Sequence, residues 1–371
     1  MYDLKGKLGF GCMRLPMKLA SVNTSEVKKM VDLYMESGFN YFDTAHGYLA
    51  GKSEKAIRTC VSKRYDREKF ILTDKLSDGY FKTQSDIEPF FRKQLKACGV
   101  EYFDFYLMHS LSAKNYEKYQ KCHAFEEAMK LKEAGKIKHV GISFHDVPKV
   151  LDGILNDHPE IEVVQLQFNY ADFDNPGVDS YGCYEVCEKH GKKVIVMEPV
   201  KGGGLVNLPD KAKKIFDELG GGSYASYAIR FAASFENVIM VLSGMGSMEM
   251  MKDNVSYMKD FKPLSEKELD AVDEVRKILN KQNIIQCTGC RYCVEGCPQH
   301  IVIPELFACY NAKKQYKGWN SRVYYNNLTA TSGKAKDCIG CGKCEHICPQ
   351  NLPIRDLLNK VSHRFDTIKF I

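Results

Sequence analysis

The sequence predicts an α/β protein: eight strand–helix units closing into a (β/α)8 barrel, followed by a small helical, cysteine-rich domain. Three observations predict it. Short apolar runs alternate with longer amphipathic stretches eight times between residues 8 and 258. The length of 371 residues suits a barrel of roughly 250 residues with an appendix. Eight of the 15 cysteines gather in two tight groups after residue 286.

The strands are expected, in order, at LGFGCM, YFDTA, FILTDK, FDFYLMH, HVGISF, VVQLQFN, VIVME and VIMVLSGM. Each is short and rich in branched or aromatic residues, as parallel strands buried on both faces are. Between them, Ser85 with Glu88 makes a capping-box signature ahead of a helix carrying Phe90, Phe91 and Leu95. Gly38, Gly99, Gly135 and Gly191 fall where helices should stop. Alternation of strand and helix argues for a parallel sheet, and eight units favour closure over an open doubly wound sheet. Ser265 and Glu268 then open a connector helix. The expected domains are 1–262, the barrel, and 263–371, with the connector, two cysteine runs and a C-terminal helix whose apolar face is expected to dock back on the barrel.

Composition narrows the function classes. Hydrophobic content of 44% and charge of 27% are those of a folded globular chain. A net charge of +6 is too mild for a nucleic-acid-binding footprint. No apolar stretch approaches the roughly 18 residues of a membrane span, and the opening MYDLKGKLGF lacks a secretion-signal layout. A cytoplasmic setting is therefore expected, where thiols stay reduced and clustered cysteines point to metal rather than disulfides.

The cysteine runs repeat one spacing. Cys287, Cys290, Cys293 and Cys297 precede Pro298, and Cys338, Cys341, Cys344 and Cys348 precede Pro349, each as C-x-x-C-x-x-C-x-x-x-C-P. Two-residue gaps let the chain wrap a cube and offer three thiolates to three irons. The alternative is a pair of structural zinc sites, but zinc requires neither the third cysteine at the next two-residue gap nor the proline. The segment resembles a bacterial-type two-cluster ferredoxin with a longer insert, residues 298–337, between the runs. In such ferredoxins the fourth cysteine ligates the other cluster. The resemblance thus implies two 4Fe-4S clusters, one on Cys287, Cys290, Cys293 and Cys348, the other on Cys338, Cys341, Cys344 and Cys297.

In barrels, chemistry sits at the C-terminal ends of the strands. There the second strand supplies Asp43 and Tyr48, the third Lys75 and the fourth His109. Singly, these read as a helix cap, a rim aromatic, a solvated charge and a satisfied core histidine. Together they resemble the aldo/keto reductase tetrad in type, order and strand position. The resemblance spans roughly residues 1–260 and includes GFGCMRLP, with Met13. It implies an oxidoreductase interconverting a carbonyl and an alcohol. Tyr48 would donate the proton, and Lys75 would lower the phenol's pKa from about 10. Asp43 would hold Lys75 in place, and His109 would orient the substrate carbonyl.

The family binds NAD(P)H across the barrel mouth without a Rossmann fingerprint. Ser143 and Gln165 match its carboxamide contacts, whereas the usual asparagine is Phe144, followed by His145. Met197 takes the place of the aromatic that stacks on nicotinamide, and Glu198 adds a charge beside it. Gly202, Gly203 and Gly204 lie where a pyrophosphate would pass, or form a flexible loop. Gly244, Ser247, Asp253 and Asn254 align with the adenosine segment. Nicotinamide moves two electrons as hydride and each cluster moves one, so FMN, which can do both, is the alternative cofactor. The expected partners are a small carbonyl or alcohol substrate and a ferredoxin or flavodoxin-like electron carrier. The rival readings are an electron-transfer or redox-sensing protein with little turnover, and a fold that the clusters merely clamp.

Overall fold

Eight parallel strands close the barrel in the computed structural model, which describes residues 2–281, 284–316 and 318–367. They are β1 (Leu8–Gly11), β2 (Tyr41–Asp43), β3 (Ile71–Leu76), β4 (Phe103–Leu111), β5 (Ile137–Phe144), β6 (Val163–Gln167), β7 (Lys193–Met197) and β8 (Val238–Ser243). Each pairs with its neighbours in sequence, and β1 joins β8 through Leu8 opposite Val241. All eight expected strands are present. A short hairpin, Met17–Lys18 with Ser21–Val22, follows β1. No helix among the described residues is long and apolar enough to cross a membrane.

Strand alternation sorts the side chains into layers. Tyr41, Ile71, Phe105, Leu107, Val163, Ile195, Met240 and Leu242 fill the barrel interior. Further along the same inward faces come Asp43, Lys75, His109 and Gln165, so polar groups crown an apolar floor. The pairing of β4 with β5 shifts register between Met108 and Leu111, and Ser110 has φ +54°. Irregularities of this kind re-aim side chains beside active sites, and here the irregularity brackets His109.

The helices cover the outside. The cap expected at Ser85 and Glu88 lies two residues earlier: Thr83 and Asp86 form the capping box, because a 3-10 turn at Gln84–Asp86 precedes the Ile87–Cys98 helix. The Ser265–Glu268 box is present, with Glu268 Oε2 accepting from the Ser265 amide at 2.8 Å. The connector helix, Glu266–Lys281, buries Ala271, Val272, Val275 and Leu279 in the barrel's outer core.

The cysteine-rich module has its own core. In each run a four-residue helix stands at the same offset, Tyr292–Glu295 and Lys343–His346. The backbone turns left-handed at equivalent places too: Gly289 and Gly340, Arg291 and Gly342, His300 and Asn351. The repeat is thus one of conformation as well as spacing. Between the runs the insert folds into two helices, Ile303–Tyr316 and Asn320–Thr331. The C-terminal helix, Ile354–Phe365, packs against these rather than on the barrel as expected. The reason is its apolar stripe: Ile354, Leu358 and Val361 join Ile303, Leu306 and Phe307, and Phe365 stacks on Tyr325 at 4.4 Å. The end of that expected segment, 368–371, lies outside the described residues.

Candidate active site

Lys75 is fully buried at the crown of the barrel. Its Nζ donates to Asp43 Oδ1 at 2.7 Å and to the Thr44 carbonyl at 2.9 Å. The Tyr48 hydroxyl lies 3.4 Å from the same nitrogen. Burial pulls the lysine's pKa down, but Asp43, Tyr48 and Asp74 together outweigh it and the net direction is up. The lysine is therefore a fixed cation. The Tyr48 and His109 rings meet edge to face at 6.0 Å. The structure thus brings together all four residues picked out from the strand ends.

One expected effect is reversed. Burial, joined by the Asp43 and Asp74 carboxylates, raises the Tyr48 pKa by more than Lys75 lowers it, so the phenol sits above its ordinary value. The lysine limits the rise rather than producing a fall. Tyr48 therefore holds its proton firmly at neutral pH, as a donor must. His109 moves the other way: burial, then Lys75, then His145 hold it well below its ordinary value. Its imidazole is neutral, with Nδ1 bonded to Ser77 Oγ at 2.6 Å.

The residues expected at the cofactor divide into groups. Ser143 Oγ is buried with no hydrogen-bond partner among the described residues. Gln165 donates to Asp43 Oδ2 at 3.2 Å, tying β6 to the tetrad. Met13 is exposed at the rim, and Met197 is half-buried at the end of β7. Gly202 and Gly203 both have positive φ, +64° and +93°, so this loop needs glycine for its turn. A Cβ at Gly204 would meet the Tyr316 ring at 2.6 Å. Gly244 packs beside Arg14, and Ser247 caps the Met248–Met258 helix. Asp253 and Asn254 make internal hydrogen bonds, to Ser223 Oγ at 2.7 Å and Ser243 Oγ at 2.6 Å.

The insert roofs the mouth of the barrel. Asn327 donates to the His145 carbonyl at 2.8 Å, and Asn320 to Gln167 Oε1 at 3.2 Å. A cavity of about 200 Å³ lies beneath it, walled by Tyr316, Trp319 and Tyr324 above and Arg14, Gln167 and Glu198 below. Its floor is a buried polar network. Asp172 accepts from Gln167 and Asn169, each at 2.8 Å, and pairs with Lys201. Arg14 pairs with Glu198 at 3.3 Å. Gln167 stood in plain view two residues beyond Gln165 on the same strand face, and Arg14 is the cation of GFGCMRLP. The roof residues carried no signal, because the spacing of an insert does not say what it covers.

The eight run cysteines form two quartets, none in a disulfide. Cys287, Cys290, Cys293 and Cys348 line one recess with Pro304, Phe307 and Leu352. Cys297, Cys338, Cys341 and Cys344 line another with Ile339, Lys343 and Arg355. Three thiols from one run and the fourth from the other is the arrangement crossed ligation requires, so the residues present fit two 4Fe-4S cubes. Cys309 is buried in the insert, outside both.

Barrel, tetrad and cysteine module together define an oxidoreductase with an iron–sulfur appendage. The family model for the aldo/keto reductase family matches residues 7–277, and that for a 4Fe-4S dicluster domain matches residues 286–352. This chain belongs to the aldo/keto reductase family. An uncharacterized oxidoreductase, YqkF of Bacillus subtilis, is 22% identical over 303 residues, 73% of this chain and 92% of that one. The 3-alpha-hydroxysteroid dehydrogenase of Rattus norvegicus is 28% identical over 166 residues, 40% of this chain and 50% of that one. Among solved structures, an aldo-keto reductase from Klebsiella pneumoniae in complex with NADPH superimposes with a TM-score of 0.61 at 18% identity, covering 74% of this chain and 95% of that one. The holo form of AKR11C1 from Bacillus halodurans gives 0.59 at 23% identity, covering 73% and 92%. At these identities the likeness is one of fold.

Proposed function

We propose that the barrel interconverts a small carbonyl compound and its alcohol with NAD(P)H, and that the cysteine module holds two 4Fe-4S clusters that exchange single electrons with an outside carrier. One observation carries the reading: the buried Lys75 cation lies 2.7 Å from Asp43 and 3.4 Å from the Tyr48 hydroxyl. Asp43, Tyr48, Lys75 and His109 are its proposed catalytic residues. The NADPH-bound neighbour of the same fold supports a nicotinamide cofactor over a flavin.

When bound, NAD(P)H supplies the hydride. The protein's task is the charge that builds on the carbonyl oxygen. The neutral His109 donates a hydrogen bond and sets the carbonyl's direction. Tyr48 gives the proton, and Lys75 stabilises the phenolate left behind. Asp43, steadied by Gln165, keeps Lys75 aimed at Tyr48. Ser143 would hold the carboxamide, Met197 would pack on the ring, and the Gly202–Gly204 loop would pass the pyrophosphate. Gly244, Ser247 and the start of the following helix would take the adenosine end.

Tyr48→Phe tests this. The ring is kept and only the proton is lost, so carbonyl turnover should fall by about 10²-fold or more while NAD(P)H affinity stays within about threefold. Turnover near the wild-type rate would remove Tyr48 as the acid.

A further inference from the structure

We propose that the two cysteine quartets have different duties. The quartet of Cys287, Cys290, Cys293 and Cys348 is the inner relay facing the barrel, and that of Cys297, Cys338, Cys341 and Cys344 is the outer one, where a strongly acidic one-electron carrier protein docks. This rests on the reading that both quartets hold clusters.

The first observation is position. The Ile303–Tyr316 helix separates the inner quartet from the barrel cavity: Pro304 and Phe307 line the quartet's recess, and the next residues, Ala308 and Cys309, line the cavity. One helix is about 10 Å across. The first run also lies against the barrel itself, because a Cβ at Gly289 would stand 3.5 Å from Pro176 Cγ. A second recess joins the two, bounded by Asn175 and Pro176 of the barrel and by Cys287, Thr288 and Pro304 of the module.

The second observation is charge. Each quartet has one exposed thiol, Cys290 or Cys341, so exposure does not tell them apart. The rims do. The inner recess is lined by the uncharged Thr288, Tyr292, Gln350 and Leu352; beside it Arg291 pairs with the buried Glu305, and Glu295 is exposed, so the surplus charge there is acidic. The outer recess carries Lys343 and Arg355 beside Ile339, which is 62% exposed. Lys336 is exposed two residues before Cys338. Lys334 is exposed as well; the acids among these four cations are Glu345, paired with Arg355 at 2.8 Å, Asp337, which accepts from the Lys334 amide at 2.9 Å, and the exposed Asp356, so the rim keeps an excess of one positive charge. An exposed isoleucine within a rim of net positive charge, where the inner rim is net negative, complements an acidic carrier with a small apolar contact patch.

The transfer balances simply. With clusters held by both quartets, a reduced carrier would give up one electron to the one held by Cys297, Cys338, Cys341 and Cys344, and the electron would come to rest on the one held by Cys287, Cys290, Cys293 and Cys348, with no proton moved and no bond formed or broken.

The test uses the iron-loaded protein and an acidic two-cluster ferredoxin under anaerobic conditions, reading binding by titration and cluster bleaching by stopped flow. Variants enter only if their iron content and visible spectrum match the wild type. The double variant Lys336→Glu, Lys343→Glu should weaken binding and slow bleaching by about tenfold or more at low ionic strength, with the gap closing as salt rises. The milder Lys343→Gln should move the same way by less. Tyr292→Asp, which puts charge on the inner rim, should stay within about twofold. Unchanged rates in the lysine variants, or a slowing confined to Tyr292→Asp, would overturn the assignment. Neither outcome depends on carbonyl turnover, which the Tyr48 variant tests separately.

Discussion

Behind Lys75, on the outer face of β3, Asp74 points into a second buried polar cluster. Gln94 donates to its Oδ1 at 3.0 Å, and Glu54, Asp74 and Cys98 bring their ligand atoms within 4.8 Å of one another. Glu54 Oε2 bonds His46 Nδ1 at 2.8 Å, while Oε1 has no partner among the described residues. Burial pushes the Glu54 carboxyl up from 4.5 to about 7. The folded chain thus keeps a proton that the unfolded chain surrenders above pH 4.5, and stability falls as pH climbs through 7. Asp74, raised by burial and by Glu54, shares this behaviour, so the pair should make the protein less stable at pH 8 than at pH 6, on the order of 1 kcal/mol. Denaturant unfolding of Glu54→Gln should show a shallower slope; parallel pH profiles for variant and wild type would contradict it. The tetrad beside it was legible because four residue types fell in order at three strand ends. Glu54 and Asp74 were not, because only the closed barrel sets them side by side.

At the scale of elements, strands were the more legible part. Their branched and aromatic runs are short, and burial on both faces leaves little ambiguity, so all eight stand where expected. Helix ends were less so: a 3-10 turn moved one cap from Ser85 to Thr83. The C-terminal helix was misplaced, and the insert left without a place, for a different reason. An amphipathic stripe announces that a face will be buried, not against what. The Asn320–Thr331 helix could have been a surface strap; instead Asn327 ties it to the barrel through the His145 carbonyl. Asn327→Ala leaves that buried carbonyl unpaired, at a cost of about 1–3 kcal/mol. It should also loosen the roof, raising KM for the carbonyl substrate several-fold with kcat little changed. A variant with wild-type stability and KM would show that the roof is held elsewhere.

Taken whole, the molecule stacks the sites of two proposed electron chemistries. The polar crown proposed for hydride transfer lies within the barrel, a cavity of about 200 Å³ lies under the roof, and two thiol quartets follow beyond the Ile303–Tyr316 helix. The insert is what joins them, since one stretch of chain both separates the cysteine runs and covers the barrel. Nicotinamide delivers electrons in pairs and clusters deliver them singly, so the central claim is that the crown works by hydride. The direct measurement is to supply NADPH deuterated at the transferring position to the anaerobic, iron-loaded protein with a panel of aldehydes and ketones, and to locate the label by mass spectrometry. Deuterium on the carbinol carbon of the alcohol is the predicted result. Alcohol formed without label from either deuterated face, or no alcohol from any member of the panel, would contradict it.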